Sequence, residues 1–380
     1  MVDPKPKLTT STTKPRVALC HDWLVARRGG ELVLEAIAEA IHPIAELDAV
    51  YTMFDTGSSI GPAADPLPRK ASLLNTLPAR RWLLPLYPLA VRDLSRKLRQ
   101  RHREKPIDLV ISTHSAAIKA IKPPPGVPHI CYCHAPARYI WTHAEGYAGG
   151  LRGLGLALIR PLYKVWDRRT AKRVDTFLAN STHTHRQIGR AYKRQSEVCF
   201  PPVRTRFFTY NKDILRDDYW LAVGALVPYK RFDLAIEAAN TRKHPLKVIG
   251  TGPELERLKA LAGPTVTFET AKTDVQLRDA YRRAKLLIFP QLEDFGIVAV
   301  EAQACGTPVV AYAKGGANDT VINNATGAHF ESQSVEALLE AIDRCPRHNA
   351  LACRENAERF SEDRFREQIA RLTRELIRRA

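Results

Sequence analysis

Short, predominantly apolar runs recur along this chain, each followed by a polar or glycine-bearing turn and then by residues in which apolar positions return at helical spacing. Residues 16–20, 109–112, 129–132 and 176–179 read as strands in the first half, and 220–223, 246–249, 286–289 and 307–312 in the second. The runs do not alternate apolar with polar, so they suit strands covered on both faces, as in a parallel sheet. Between them, helical periodicity covers residues 31–41, a stretch reaching about residue 239, 253–261, 297–304 and 360–380, and Thr273 with Gln276 forms a capping box for a helix running to residue 284. The alternation predicts an α/β chain with two doubly wound parallel sheets. The run VCFPPV at 198–203 supplies a stiff proline pair between them, which puts a domain boundary near Arg204.

The most informative unit is KLLIFPQLEDFGIVAVEAQACGTPVVAY, residues 285–312. Pro290 ends a buried strand, a polar loop runs from Gln291 to Gly296, and a short helix ends at Gly306 and Pro308. Glu293 lies in the loop and Glu301 on the helix, so both can look into the crevice at the carboxyl ends of the strands, where open α/β sheets bind ligands. Backbone N–H groups around Phe295, Gly296 and Ile297 are the unpaired donors of a helix start and suit a phosphate. Carboxylates beside an anion site need neutral hydroxyls to face. The combination predicts a ligand with phosphate at one end and sugar hydroxyls at the other, as in a nucleotide sugar.

Glu293 and Glu301, set in EDFGIVAVEAQACGTPVVA, resemble the paired-glutamate motif of retaining family 4 glycosyltransferases of the GT-B fold. The segments ALVPYKRFDLAIEA and HDWLVARRGGE extend the resemblance, which runs from Arg16 nearly to the end of the chain. It implies two Rossmann-like domains facing each other across a cleft. A disordered tail at 1–14 would lead into an acceptor-binding domain at 15–203. A nucleotide-sugar domain would span 204–360, and a helix at 361–380 would cross back. HAPARYIW, residues 134–141, is similar to the H-x-P-x-R-Y-x-W segment of mannosyltransferases that act on polyprenyl-diphosphate-linked sugars, which places His134 by the anomeric carbon.

Other positions take meaning from the same frame. Gly29 and Gly30 sit just before a predicted helix, and the resemblance turns that loop toward the donor diphosphate. Lys230 and Arg231 stand at another helix start, where cations oppose the dipole unless an anion lies between. The family carries an arginine where this chain has Ala225; Lys230 matches, and Arg231 either supplies the missing charge or leaves one diphosphate contact absent. Ser181 is both a candidate donor contact and a candidate cap for the helix that follows. Lys230, Glu293 and His134 are thus the candidate catalytic set, with Glu301, Arg231, Phe295, Gly296, Ile297, Gly29, Gly30 and Ser181 on the donor.

Composition adds a location. The chain has 380 residues, 45% hydrophobic and 26% charged, as in a globular protein. No stretch is long and apolar enough for a transmembrane helix, and the N-terminus lacks the apolar segment of a signal peptide. Seven cysteines lie among apolar neighbours, which points to reduced, buried thiols in a cytosol; Cys131 and Cys133 have no second pair and read as core. The net charge of +18 is concentrated in residues 1–203, which hold 31 Lys+Arg against 16 Asp+Glu. Residues 77–105, LPARRWLLPLYPLAVRDLSRKLRQRHREK, interleave Trp82 and leucines with prolines and cations, either an interfacial segment or a core helix with a basic face.

Together with the resemblance, these features predict a retaining α-mannosyltransferase that moves mannose from GDP-mannose to a polyprenyl-diphosphate-linked oligosaccharide, such as a cellobiosyl lipid, in exopolysaccharide assembly. It would attach peripherally, through the Trp82 region, to an anionic membrane on the cytoplasmic face. No D-x-D lies in a plausible donor loop, so no metal or other cofactor is expected. The alternatives are a family 4 transferase using another nucleotide sugar and a GT-B sugar-nucleotide 2-epimerase. A nucleic-acid partner is not expected, because the aromatics of the basic half sit among aliphatics and form no stacking platform.

Overall fold

The computed structural model describes residues 14–78, 83–141, 150–270, 273–346 and 349–379, without the side chains of residues 139 and 150–158. Residues 1–13 of the expected tail at 1–14, and Trp82, lie outside the described residues. Thirteen strands are named here in chain order: β1 Arg16–Leu24, β2 Glu46–Asp55, β3 Arg69–Ala71, β4 Leu109–His114, β5 His129–Cys133, β6 Thr176–Ala179, β7 Glu197–Val198, β8 Trp220–Val223, β9 Leu246–Ile249, β10 Val266–Glu269, β11 Leu286–Phe289, β12 Val309–Tyr312 and β13 Gly327–Phe330. They form a seven-stranded sheet of order β3-β2-β1-β4-β5-β6-β7 and a six-stranded sheet of order β10-β9-β8-β11-β12-β13. All the pairings with a resolved register are parallel, and helices connect the strands, so the fold is two Rossmann-like sheets as expected.

Val198 ends the first sheet and Trp220 begins the second, on either side of Arg204. The chain also divides by compactness, along different lines. One unit gathers the residues up to Cys131 with Val165–Asp175 and Ile369–Ala380, and the other holds Tyr132–Lys164 and Thr176–Gln368.

The second sheet shows why its strands are continuous apolar runs. Leu221, Val223, Leu287, Phe289, Val309 and Ala311 pack on one face with Ala299, Val300 and Ala302. Trp220, Ala222, Leu286, Ile288 and Val310 pack on the other with Leu234, Ala235 and Ile236. Successive side chains point to opposite faces, so the central strands β8, β11 and β12, covered on both sides, read as unbroken apolar runs. Each fully buried large aliphatic contributes about 1.5–3 kcal/mol relative to exposure. Strand β12 starts at Val309, two residues later than the sequence suggests, because Pro308 has no N–H to donate.

In the first unit the carboxylate of Asp22, at the end of β1, accepts from four successive backbone N–H groups, those of Ser115, Ala116, Ala117 and Ile118, at 2.6–2.8 Å. It thereby closes the turn after β4 with charge-assisted bonds. Lys119 follows, fully buried, with its ammonium 2.6 Å from the equally buried Asp167. All seven cysteines are buried thiols, in line with their apolar surroundings.

In the basic segment the structure shows a core helix. A helix spans Tyr87–Glu104 and buries Tyr87, Val91, Leu94 and Leu98, with the Tyr87 ring edge-on to Phe54 at 5.8 Å. Leu73, Leu77, Leu86 and Leu89 remain between 37% and 50% exposed.

Candidate functional site

Strand β11 delivers the loop that carries the site. After Phe289 the chain passes through residues 290–295 to Gly296, whose φ of +96° begins the helix Ile297–Ala304. A Cβ there would sit 2.8 Å from the Phe289 ring, so both conformation and space require glycine. From the other side, Gly316 N–H donates to the Glu293 carbonyl at 2.8 Å. A Cβ on Gly316 would come within 2.3–2.6 Å of Phe295 and Asp294 backbone atoms, and one on Gly315 within 2.2 Å of the Glu293 carbonyl oxygen. The glutamate loop is therefore moulded on the glycine pair that follows β12. The sequence reading passed over Gly315 and Gly316; their place directly after a buried strand was the available signal.

Strand β8 supplies the facing cation. Pro228–Lys230 form a single 3-10 turn, Arg231 takes the left-handed conformation at φ +53°, and the helix Phe232–Arg242 begins. Lys230 Nζ lies 2.9 Å from Glu293 Oε1, and both side chains are largely buried. Gly224 makes room for this lysine, since a Cβ there would stand 2.9 Å from Nζ. The two residues placed on the diphosphate and on the sugar by the sequence are thus brought together as an ion pair.

Arg231 takes another course. Its Nε lies 3.2 Å from both Asp233 carboxylate oxygens, and Nη1 reaches Gln333 Oε1 at 3.5 Å. Its charge is offset locally, while Ala225 is exposed. A cation missing from the sequence reading is Arg138, in the HAPARYIW segment, whose Nη2 lies 2.5 Å from Asp294 Oδ2, next to Glu293.

Glu301 sits on the helix after the loop. Its Oε2 accepts from the hydroxyl of the fully buried Tyr281 at 3.1 Å. Burial pushes its carboxyl up to about 7, against the opposing effects of the Arg204 charge and the Tyr281 bond. Phe295 contributes backbone alone, because its ring is buried between Phe200 and Phe360 at 6.0 and 5.5 Å. Ile297 is the first residue of the helix and packs partly against the same core.

The remaining candidates are placed as follows. His134 lies just beyond β5, edge-on to Tyr132 at 5.2 Å, and its carbonyl accepts from Asn180 Nδ2 at 3.0 Å. Ser181 is fully buried and its Oγ accepts from Thr184 N–H at 3.0 Å, which commits the side chain to capping the helix Thr182–Tyr192. Gly29 and Gly30 belong to the first unit and form the opening turn of the helix Gly29–Ile41 itself, where a loop was expected. The shift follows from Arg28, whose extended backbone N–H donates to Glu31 Oε2 at 3.1 Å and so caps the helix early. Burial opposes ionisation of Glu31, but the bond and charge of His21 outweigh it and hold this carboxyl below its usual value.

The two parallel Rossmann-like sheets have the GT-B fold, and the second carries a lysine–glutamate pair and a second glutamate. Residues 208–363 match the family model for Glycosyl transferases group 1, and residues 58–206 match that for Glycosyltransferase Family 4. Among characterised proteins, the chain is 31% identical over 229 residues to the D-inositol 3-phosphate glycosyltransferase of Mycolicibacterium smegmatis, covering 53% of each chain. It is 35% identical over 167 residues to the enzyme of that name from Gordonia bronchialis, covering 37% of this chain and 36% of that one. The chain thus matches about half the length of these relatives or less. Sucrose-phosphate synthase from Thermosynechococcus elongatus superposes with a TM-score of 0.76 at 19% identity, over 97% of this chain and 100% of that one. Anabaena HepE in complex with UDP does so with 0.72 at 18%, over 94% and 99%. At such identities the solved structures speak for the fold alone.

Proposed function

We propose that the protein is a retaining α-mannosyltransferase that takes mannose from GDP-mannose and delivers it to a polyprenyl-diphosphate-linked oligosaccharide. The observation that carries this reading is the Lys230–Glu293 pair at 2.9 Å. A nucleotide sugar offers a partner to each member: the diphosphate to the ammonium and the sugar hydroxyls to the carboxylate. As the bond from the anomeric carbon to the diphosphate breaks, negative charge grows on the leaving oxygen, and Lys230 with the helix start at Gly296 stabilises it. The leaving phosphate takes the proton of the acceptor hydroxyl, which attacks the same face of the sugar. Glu293 binds hydroxyls in this scheme and forms no bond to carbon, unlike the carboxylate nucleophile of a retaining glycosidase. Glu301 accepts from the ribose, and His134 lines the acceptor side. Arg138, beside Asp294, provides the second cation that Ala225 cannot, and Arg231 stays with Asp233. Cationic side chains neutralise the diphosphate here, so we propose that transfer needs no metal.

A lipid-linked acceptor is supported by the basic helix Tyr87–Glu104 with exposed Leu86 and Leu89 beside Leu73 and Leu77. No described helix is long and apolar enough to cross a membrane. Peripheral attachment at the cytoplasmic face is therefore part of the proposal. A second reading, a phosphorylated polyol acceptor with a donor other than GDP-mannose, such as a UDP-sugar, is favoured by the relatives named for D-inositol 3-phosphate. Incubating the protein with labelled GDP- and UDP-sugars, with a membrane lipid extract or with inositol phosphate, separates the two. Label entering the organic phase from GDP-mannose supports the first; label entering the aqueous product from a UDP-sugar supports the second and refutes the first.

A further inference from the structure

Tyr281 lies in the helix Asp274–Arg283, fully buried, with its ring edge-on to Phe208 at 5.7 Å. Its hydroxyl ends on Glu301. Burial, and then the charge of Glu301, hold the phenol well above its usual range, so it stays a donor at every pH of interest.

Arg204 adds a positive charge from the segment just before that tyrosine's aromatic neighbour. Its Nη1 is fixed by Asp274 Oδ2 at 2.6 Å, and its guanidinium lies over the rings of Phe207 and Phe208 at 5.3 and 5.2 Å. The charged and titratable groups around Glu301 are therefore Arg204 and Tyr281 favouring its ionised form and Asp274 opposing it, with Cys305 beside Tyr281 and Glu362 acting on Arg204. A carboxylate that is to accept bonds from two vicinal hydroxyls must be both ionised and held in one rotamer. Without the phenol and the guanidinium, burial would leave Glu301 protonated and free to turn.

We propose that Tyr281 is a positioning residue for nucleotide binding: its hydroxyl, backed by Arg204, fixes Glu301 in the orientation and the carboxylate form that a ribose requires. The proposal rests on the reading of Glu301 as the ribose acceptor. Tyr281→Phe keeps the buried ring and removes one oxygen, which makes it a mild structural change.

The test is calorimetric titration with GDP, and with UDP as second probe, from about pH 6 to about pH 9. It compares the unaltered protein with Tyr281→Phe, Arg204→Gln and Glu301→Gln. The ligand's own phosphate ionisation is common to all four, and Glu301→Gln displays it alone. The unaltered protein should gain affinity through neutral pH more steeply than Glu301→Gln. In Tyr281→Phe and Arg204→Gln that gain should move to higher pH. Kd for Tyr281→Phe then weakens about tenfold at about pH 6.5, yet stays within about twofold at about pH 9. A Tyr281→Phe profile that superimposes on the unaltered one overturns the proposal. So does equal weakening at every pH, which is what a loosened core produces. If Glu301→Gln binds both nucleotides as the unaltered protein does, the ribose role of Glu301 fails and this proposal with it. If Glu301→Gln loses the gain while Tyr281→Phe keeps it unmoved, the role of Tyr281 alone fails.

Discussion

Lys230 and Glu293 neutralise each other, so on the proposed reading a bound donor exchanges one ion pair for two sets of bonds. The exchange keeps both charges compensated throughout, which makes it cheap. Replacing Lys230 by Gln removes the group proposed to meet the leaving diphosphate. Single-turnover transfer should slow by about 10²–10³-fold, a range typical for deleting one electrostatic stabiliser of a developing oxyanion. An unchanged rate at saturating donor would remove Lys230 from the mechanism. Glu301 carries a second consequence, with the opposite sign from most carboxylates. Its folded-state pKa, at about 7, lies above the ordinary value of 4.5, so its stability contribution is full below the ordinary value and is lost as pH rises through the folded one. Glu301→Gln should therefore stabilise the protein above about pH 7 by at most about 3 kcal/mol, and have little effect near pH 5. Thermal melts at the two pH values check this. A larger gain at the acidic pH would contradict the sign. If Glu301 accepts from the ribose as proposed, the same substitution should weaken nucleotide binding, and stability and function then pull apart at this residue.

At the scale of elements, the loop from Pro290 to Gly296 is shaped by glycines on both sides. Gly316→Ala would drive a Cβ into Phe295 and Asp294 backbone atoms and displace the loop. We expect a loss of stability of about 1–3 kcal/mol and a donor affinity lowered well beyond what that destabilisation explains. Native-state melting and nucleotide titration on one preparation separate the two effects. The sequence conveyed β6, β8, β9, β11 and the helix Ile297–Ala304 with their ends in place, because strands covered on two faces leave a predominantly apolar record. It conveyed β13 poorly: GAHF opens on glycine and carries a histidine, and what makes it a strand is its pairing with β12. Glu293, Glu301 and Lys230 were legible as isolated positions. That Lys230 pairs with Glu293, that Arg231 turns to Asp233, and that Tyr281 ends on Glu301 depends on tertiary contacts between distant segments. Local spacing carries no trace of these. Ser181 had two candidate roles in the sequence, and the structure displays the cap.

For the molecule as a whole, charge and exposed leucines lie together in the first half of the chain. Binding to phosphatidylglycerol vesicles should be strong at low ionic strength and fall as salt rises, because exposed cations are screened beyond about 10 Å at 0.1 M. Replacing Leu86 and Leu89 by Ser should weaken it further by about 30-fold or more, since each leucine forfeits about 1–2 kcal/mol of apolar burial and about 1.4 kcal/mol is a factor of ten. Equal binding to uncharged phosphatidylcholine vesicles would contradict the electrostatic part. The central claim, a donor-holding Glu293 in a GDP-mannose-dependent lipid transferase, is tested most directly by labelled transfer. The protein is incubated with GDP-[14C]mannose, a membrane lipid extract and EDTA, and label is counted in the organic phase. The account predicts EDTA-resistant transfer that Glu293→Ala abolishes; no label in the lipid fraction, or full transfer by Glu293→Ala, would contradict it.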